Sequence, residues 1–316
     1  MMIIEKAHTE YCLYRIPGLV ATQQNTLLGY YECRNTESDW AQIDLKVIRS
    51  TDGGEHWNTV FFFPGEGDTL SNPVMVVNGQ TIHFLFCRNY NKLYHCKSTD
   101  DGLTFSEPVE ITDIFDNCGF FHNVFAIGPG HGIVHKGHLL IPIWFAQNKD
   151  DPWAHHPSII GTIYSADGEH WKLGELLDIK TLVDPSECAL AVTKDNQVLV
   201  SIRNESPEHC RAFAVSDTGF SGWTAPYFNA QMADPICQGS MTHKDGVLYH
   251  INCDVPTGHD RVNLTIKVSE DSFQTYQSIL VDPVAGYSDI ALLGNELCVL
   301  YEQDCNCALC FKKIPC

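Results

Sequence analysis

The feature that most limits what this chain can fold into is a short motif that returns along it. Ser50-Thr51-Asp52-Gly53-Gly54-Glu55-His56-Trp57 reads S-x-D-x-G-x-x-W. Ser98-Thr99-Asp100-Asp101-Gly102-Leu103-Thr104-Phe105 repeats it with Phe for Trp. Ser165-Ala166-Asp167-Gly168-Glu169-His170-Trp171 is the same box one residue short, and weaker echoes begin at Ser216 and Ser269. The chemistry is that of a tight β-hairpin. Ser and Asp side chains hydrogen-bond the turn's own backbone, Gly accepts positive φ, and the aromatic is expected to fold back onto its own sheet. β-rich segments at 45–49, 93–97 and 159–164 run into the boxes, and helical periodicity is convincing nowhere. A unit of about 50 residues suits a four-stranded propeller blade, so a chain of this length holds roughly six. The expected fold is therefore all-β: a six-bladed β-propeller with a box hairpin in its blades. No Pro/Gly/Ser-rich linker or composition break divides it, so residues 1–316 are expected to form a single domain.

Hydrophobic residues make up 44% of the 316, enough for a sizeable core. Basic residues number 20 against 39 acidic, a formal net charge of -19. Nucleic acid and anionic membrane surfaces need a basic footprint and are not expected partners. Any anionic ligand would need a locally basic site set against this global field. No apolar run approaches the roughly 20 residues that span a bilayer, and the start, Met-Met-Ile-Ile-Glu-Lys, turns charged at once. Membrane insertion is not expected, and a cytoplasmic location is. The 14 cysteines then read as thiols rather than a disulfide framework. Cys305, Cys307 and Cys310, with Cys316 beyond, lack the paired spacing of a zinc ribbon; on a strand, Cys305 and Cys307 would share a face. His131, His135 and His138 lie in a Gly-rich strand-turn-strand stretch and are read as non-metal residues.

Leu13-Tyr14-Arg15-Ile16-Pro17-Gly18-Leu19-Val20 puts one guanidinium in an apolar, strand-like setting, where Pro17 pushes Ile16 toward extended geometry. Arginine suits a two-pronged grip on a carboxylate. For a lone Arg-Ile-Pro a structural ion pair is the plainer reading, and the rest of the chain decides.

Arg-Ile-Pro near the start, followed by several S-x-D-x-G-x-x-W (Asp-box) repeats, resembles the sialidases of glycoside hydrolase family 33. The resemblance runs from Tyr14 to Glu302. It implies three arginines around the carboxylate of a sialic acid, which here correspond to Arg15, Arg203 (in Ser201-Ile202-Arg203-Asn204) and Arg261 (in His259-Asp260-Arg261-Val262). Glu302 matches the carboxylate that steadies the first arginine. Arg34 and Asp39 match the family's arginine-to-aspartate loop, with Asp39 as general acid/base and Glu37 as a competitor. Tyr287 would be the nucleophile and Glu187 its base. Asn72, in Asn72-Pro73, matches a loop near the sugar. A phenol suits this substrate, because an attacking carboxylate would meet the like charge that sialic acid carries on its anomeric carbon. With a pKa near 10 the phenol needs a neighbouring base, and tyrosine in sialidases is the known exception to carboxylate nucleophiles.

The resemblance implies an exo-α-sialidase that hydrolyses terminal sialic acids from glycoconjugates with retention, without metal or cofactor. Sialylated glycans or oligosaccharides are the expected partners. A trans-sialidase, an anhydro-product enzyme and a Kdn-preferring enzyme would keep the same residues. A catalytically silent sialoglycan-binding propeller would need only the arginines, and a purely structural propeller would leave them unexplained. One departure concerns Pro142-Ile143-Trp144-Phe145-Ala146-Gln147, which reads Trp-Phe-Ala where mammalian members carry tyrosines toward the sugar's glycerol tail.

Overall fold

The computed structural model describes every residue except Asn117, Phe120, Lys149, Pro152 and Asp304. Its strands form six small sheets of four or five strands each, arranged as a six-bladed β-propeller. Blade 1 holds Leu13–Ala21, Leu27–Arg34, Ile43–Ser50 and Asn58–Phe63, from the central channel outward. Blade 2 is built on Leu70–Asn78, Thr81–Arg88 and Lys92–Ser98, blade 3 on Val124–Ile127, His138–Ala146 and Ser158–Ser165. Blade 4 runs from Cys188–Val192 to Tyr227–Ala233, and blade 5 from Ser240–Lys244 to Gln277–Asp282. Blade 6 takes Ala285–Leu293, Glu296–Gln303 and Ala308–Pro315 from the end of the chain, and Met2–Lys6 from its start as the fourth, outermost strand.

The five boxes all join the third strand of a blade to the fourth. Each serine hydroxyl accepts a turn N–H, at 2.9 Å from Gly54, 3.0 Å from Gly102 and 2.9 Å from Gly168. Each aspartate carboxylate accepts further backbone N–H groups, as Asp52 does from Glu55 and His56. The weak echoes make the same turn. Thr218 replaces the aspartate in blade 4 and accepts the Ser221 N–H at 3.0 Å. Phe273 occupies the glycine position in blade 5 at φ 63°, and its N–H donates to Ser269 at 2.9 Å. Blade 6 has no box because no hairpin links its third and fourth strands, which come from opposite ends of the chain.

The box aromatics do not fold onto their own sheets alone. Trp57 meets Phe311 of blade 6 edge-on at 5.2 Å. Trp171 meets His83 and His95 of blade 2. Phe105 touches Phe84 in its own blade and Phe61 in blade 1. The cause is the box glycine, which lies against the preceding blade. A Cβ on Gly54 would fall 2.2 Å from the Phe311 ring, and one on Gly168 2.2 Å from His83. The turn is thus pressed into the seam between blades, and its aromatic follows.

Leu19, Val20, Leu27 and Leu28 of blade 1 and apolar residues of the other blades form several clusters. Asp289, fully buried at the channel, ties blades together. It accepts from the Leu19 N–H at 2.7 Å and from Ser240 Oγ at 2.5 Å, and pairs with His131 Nδ1 at 2.8 Å. His135 bonds the Asp217 carbonyl at 3.0 Å and His138 the Lys136 carbonyl at 3.2 Å. Cys305 and Cys307 lie in the turn before Ala308–Pro315 and so do not share a strand face. Among the described residues no helix is long and apolar enough to cross a membrane.

Candidate functional site

Three inner strands lose their regular pairing at one end of the channel. Register shifts fall between Arg15 and Gly18, between Ser71 and Val74, and between Ala285 and Ser288. A bulge bends its strand and re-aims the neighbouring side chain. At the first, Ile16 takes φ 55° rather than the extended geometry expected before Pro17. That is a genuine outlier for a β-branched residue. Its N–H is held by Glu302 Oε1 at 3.0 Å, which keeps the outlier in place. At the second, Asn72 takes φ 51° and donates its N–H to Glu32 Oε1 at 2.8 Å. The third carries Tyr287.

These bulges and the loops beside them enclose a polar cleft of about 220 Å³. Seven of the nine expected site residues line it: Arg15, Asp39, Asn72, Glu187, Arg203, Arg261 and Tyr287. Arg34 and Glu302 stand behind the wall rather than in it, at 1% and 0% exposure. Arg34 Nη1 donates to Asp39 Oδ1 at 2.6 Å, and Arg15 Nε donates to Glu302 Oε1 at 3.2 Å. Glu37 is exposed and is not part of the cleft wall.

Tyr287 is the centre of the arrangement. Its hydroxyl donates to Glu187 Oε2 at 2.8 Å and accepts from Arg203 Nη1 at 2.8 Å. Arg203 Nη1 also pairs with Glu187 Oε2. The guanidinium carbons of Arg15 and Arg261 lie 5.0 and 4.8 Å from the centre of the Tyr287 ring. Three guanidiniums therefore converge on one phenol from blades 1, 4 and 5.

Burial drives the Tyr287 hydroxyl's pKa above its usual value, against the pull of Arg203. The phenol therefore stays protonated and hydrogen-bonded to a carboxylate that can take the proton. For Asp39, burial pushes the carboxyl up, but Arg34 outweighs it and holds the group below the ordinary range. Burial works against the charge of Arg15 and Arg203 as well. Glu302 overrides it for the first; Tyr287 and Glu187 do so for the second.

Several site residues were not foreseen. Glu32 is fully buried and receives Arg34 Nε at 2.7 Å and the Asn72 N–H. Its signal was legible: residues two apart in a strand share a face, so Glu32 and Arg34 in Leu27–Arg34 had to be neighbours. Removing Glu32 would leave Arg34 buried with less compensation, at a cost of about 3–5 kcal/mol. Tyr90, Trp144 and His155 also line the cleft, and His155 sits between the rings of Trp40, Tyr90 and Trp144 at 5.3–5.6 Å. Nothing local in the sequence marks Tyr90 or His155. Trp144, already singled out in the segment Pro142 to Gln147, lies inside the strand His138–Ala146.

The fold and the repeated turns define a class, that of propellers built on BNR-type repeats. The match is direct: the BNR repeat-like domain model covers residues 62–292, and the chain belongs to that family. Among curated proteins, the chain is 29% identical to a sialidase of Bacteroides fragilis over 92% of its own length and 60% of the other's. It is 26% identical to a sialidase of Paraclostridium sordellii, over 93% of this chain and 82% of that one. Among solved structures, Hadza microbial sialidase Hz136 superposes with a TM-score of 0.83 at 24% identity, over 97% of this chain and 66% of that one. Trypanosoma rangeli sialidase gives 0.78 at 17% identity, over 99% and 58%. The chain thus spans less than two thirds of the length of both the Bacteroides fragilis sialidase and Hz136.

Proposed function

We propose that this chain is an exo-α-sialidase of glycoside hydrolase family 33 that releases terminal sialic acid with retention through Tyr287. The observation that carries the proposal is the Tyr287 hydroxyl hydrogen-bonded to Glu187 at 2.8 Å beneath three arginines. In this reading Arg15, Arg203 and Arg261 take the sugar's carboxylate. The Tyr287 oxygen bonds to the anomeric carbon while its proton passes to Glu187. The glycosidic C–O bond breaks, and Asp39 protonates the departing oxygen. Water then attacks the same carbon as the bond from it to the Tyr287 oxygen breaks; Asp39 takes the water's proton, and Glu187 returns one to the phenolate.

The Tyr287 direction fits its role, and the Asp39 direction fits the base of the second step, while its acid role needs the substrate's own charge. A buried phenol kept protonated needs its base close by. Asp39 is held ionised by Arg34 and Arg15, and the arriving carboxylate offsets part of that positive field, favouring the protonated acid. A silent glycan-binding propeller would have no use for the tyrosine–glutamate pair. The test is incubation with an aryl α-sialoside, following the first-formed sugar by NMR. Release of the α-anomer supports the proposal. First release of the β-anomer overturns retention, and no turnover on several sialosides between pH 4 and 8 overturns the enzyme reading.

A further inference from the structure

The bulge that presents Tyr287 also removes its backbone from the regular ladder. Between Ala285 and Ser288 the pairing to Glu296–Gln303 shifts. Ala285–Leu293 is also the innermost strand of blade 6, so its other edge has no strand beside it in the sheet. Ala285, Tyr287 and Ser288 are buried. Backbone polar groups buried without partners are costly, so something must bond them.

Three buried side chains do. Glu302 Oε2 accepts the Tyr287 N–H at 3.1 Å. Gln238 treats Ser288 as a strand would: its Oε1 accepts the Ser288 N–H at 3.1 Å, and its Nε2 donates to the Ser288 carbonyl at 3.0 Å. The Cys253 thiol donates to the Ala285 carbonyl at 3.2 Å. Cys253, 0% exposed, also packs with Ile16, Cys237 and the Tyr287 ring in one small apolar cluster. Gln238 is 1% exposed, and neither residue belongs to the cleft wall. Blade 5 and the loop entering it thus grip the blade 6 backbone on both sides of the tyrosine.

From this geometry we infer that Gln238 and Cys253 are positioning residues for Tyr287, fixing the phenol against Glu187 and beneath the arginines. The inference rests on the sialidase reading for its effect on rate, but not for its effect on the tyrosine. Gln238 carries more of the task, since two hydrogen bonds from one planar amide set both distance and direction, whereas a thiol is a weak donor.

The test compares Gln238→Met, Cys253→Ala and Cys253→Ser with the wild type. Turnover of an aryl sialoside is measured beside the Tyr287 ring signal in protein carrying ¹³C-labelled tyrosine, assigned with Tyr287→Phe. Gln238→Met keeps the shape and loses both bonds. It is expected to lower kcat on the order of tenfold or more, since small misplacements of reacting groups are costly. KM should change by less than about twofold, and the Tyr287 signal should move while other tyrosines hold. Cys253→Ala is expected to show a smaller loss that Cys253→Ser partly restores. A folded Gln238→Met with normal kcat and an unmoved Tyr287 signal overturns the inference. If Gln238→Met does not fold, the Cys253 pair decides it, with no Tyr287 shift in Cys253→Ala as the contrary result. A wild type without turnover whose Tyr287 signal still moves in Gln238→Met removes the sialidase reading and leaves the positioning role standing.

Discussion

Among single residues, the arginines of the cleft differ in what each one holds. Arg15 is pinned by Glu302 and lies 5.0 Å from the centre of the Tyr287 ring, and Arg261 lies 4.8 Å from the same point. Lysine keeps the charge but not the planar fork. Arg15→Lys is expected to cut kcat/KM on the order of 100-fold, about 2.7 kcal/mol of transition-state stabilisation. Arg261→Lys should follow it, and steady-state kinetics on one sialoside checks both. A near-neutral Arg261→Lys would leave the carboxylate held by two arginines. Arg15, Asp39 and Tyr287 were singled out through the resemblance, and the structure brings all three to one cleft. Gln238 and Cys253 were not, because their work is on backbone 50 and 32 residues away. No local pattern encodes that separation. Ile16 was misread for a related reason: Pro17 disfavours a helix, but the bulge and Glu302 choose the left-handed region over the extended one.

At the scale of elements, the box turn is a seam device as much as a hairpin. Trp171 and Gly168 of blade 3 press on a buried histidine pair of blade 2, His83 Nδ1 and His95 Nε2 at 3.1 Å with rings stacked. Burial, then the neighbouring His83, depresses the His95 pKa to about 4; Glu169 opposes this and Lys97 adds to it. The unfolded chain, with His near 6.5, binds the proton more readily than the folded one. The pair's contribution to stability is therefore full above about pH 6.5 and lost as pH falls toward 4. The melting temperature should fall across that window, and His95→Phe should flatten this part of the fall. An identical pH profile in His95→Phe would show that the seam does not sense protons. The hairpins themselves were legible, since Ser, Asp and Gly act within a few residues of one another. The destination of their aromatics was not, because it depends on how blades stack.

At the scale of the molecule, the ring is closed by the chain's first strand. Met2–Lys6 pairs with Ala308–Pro315, and Glu5 receives the Tyr31 hydroxyl and Lys46 Nζ of blade 1, each at 2.7 Å. Removing residues 1–7 should expose Ala308–Pro315 as an unpaired edge, a template for association. A lower melting temperature and scattering above the wild-type level are expected; an unchanged melt would show that closure lies elsewhere. Repeat length was enough to count blades, but the sixth carries no box, so its make-up from both ends of the chain had no motif to reveal it. The net charge of -19 extends to the cleft itself, where Asp39, Asp184, Glu187 and Glu205 line the wall beside the three arginines.

The central proposal is that Tyr287 attacks the anomeric carbon of a bound sialic acid. It is tested most directly by treating the wild type with a 3-fluorosialosyl fluoride and mapping the modified peptide. The account predicts a single covalent sugar on Tyr287, lost in Tyr287→Phe while the fold melts normally. A label on any other residue, or turnover of the reagent with no adduct formed at any time, would contradict it.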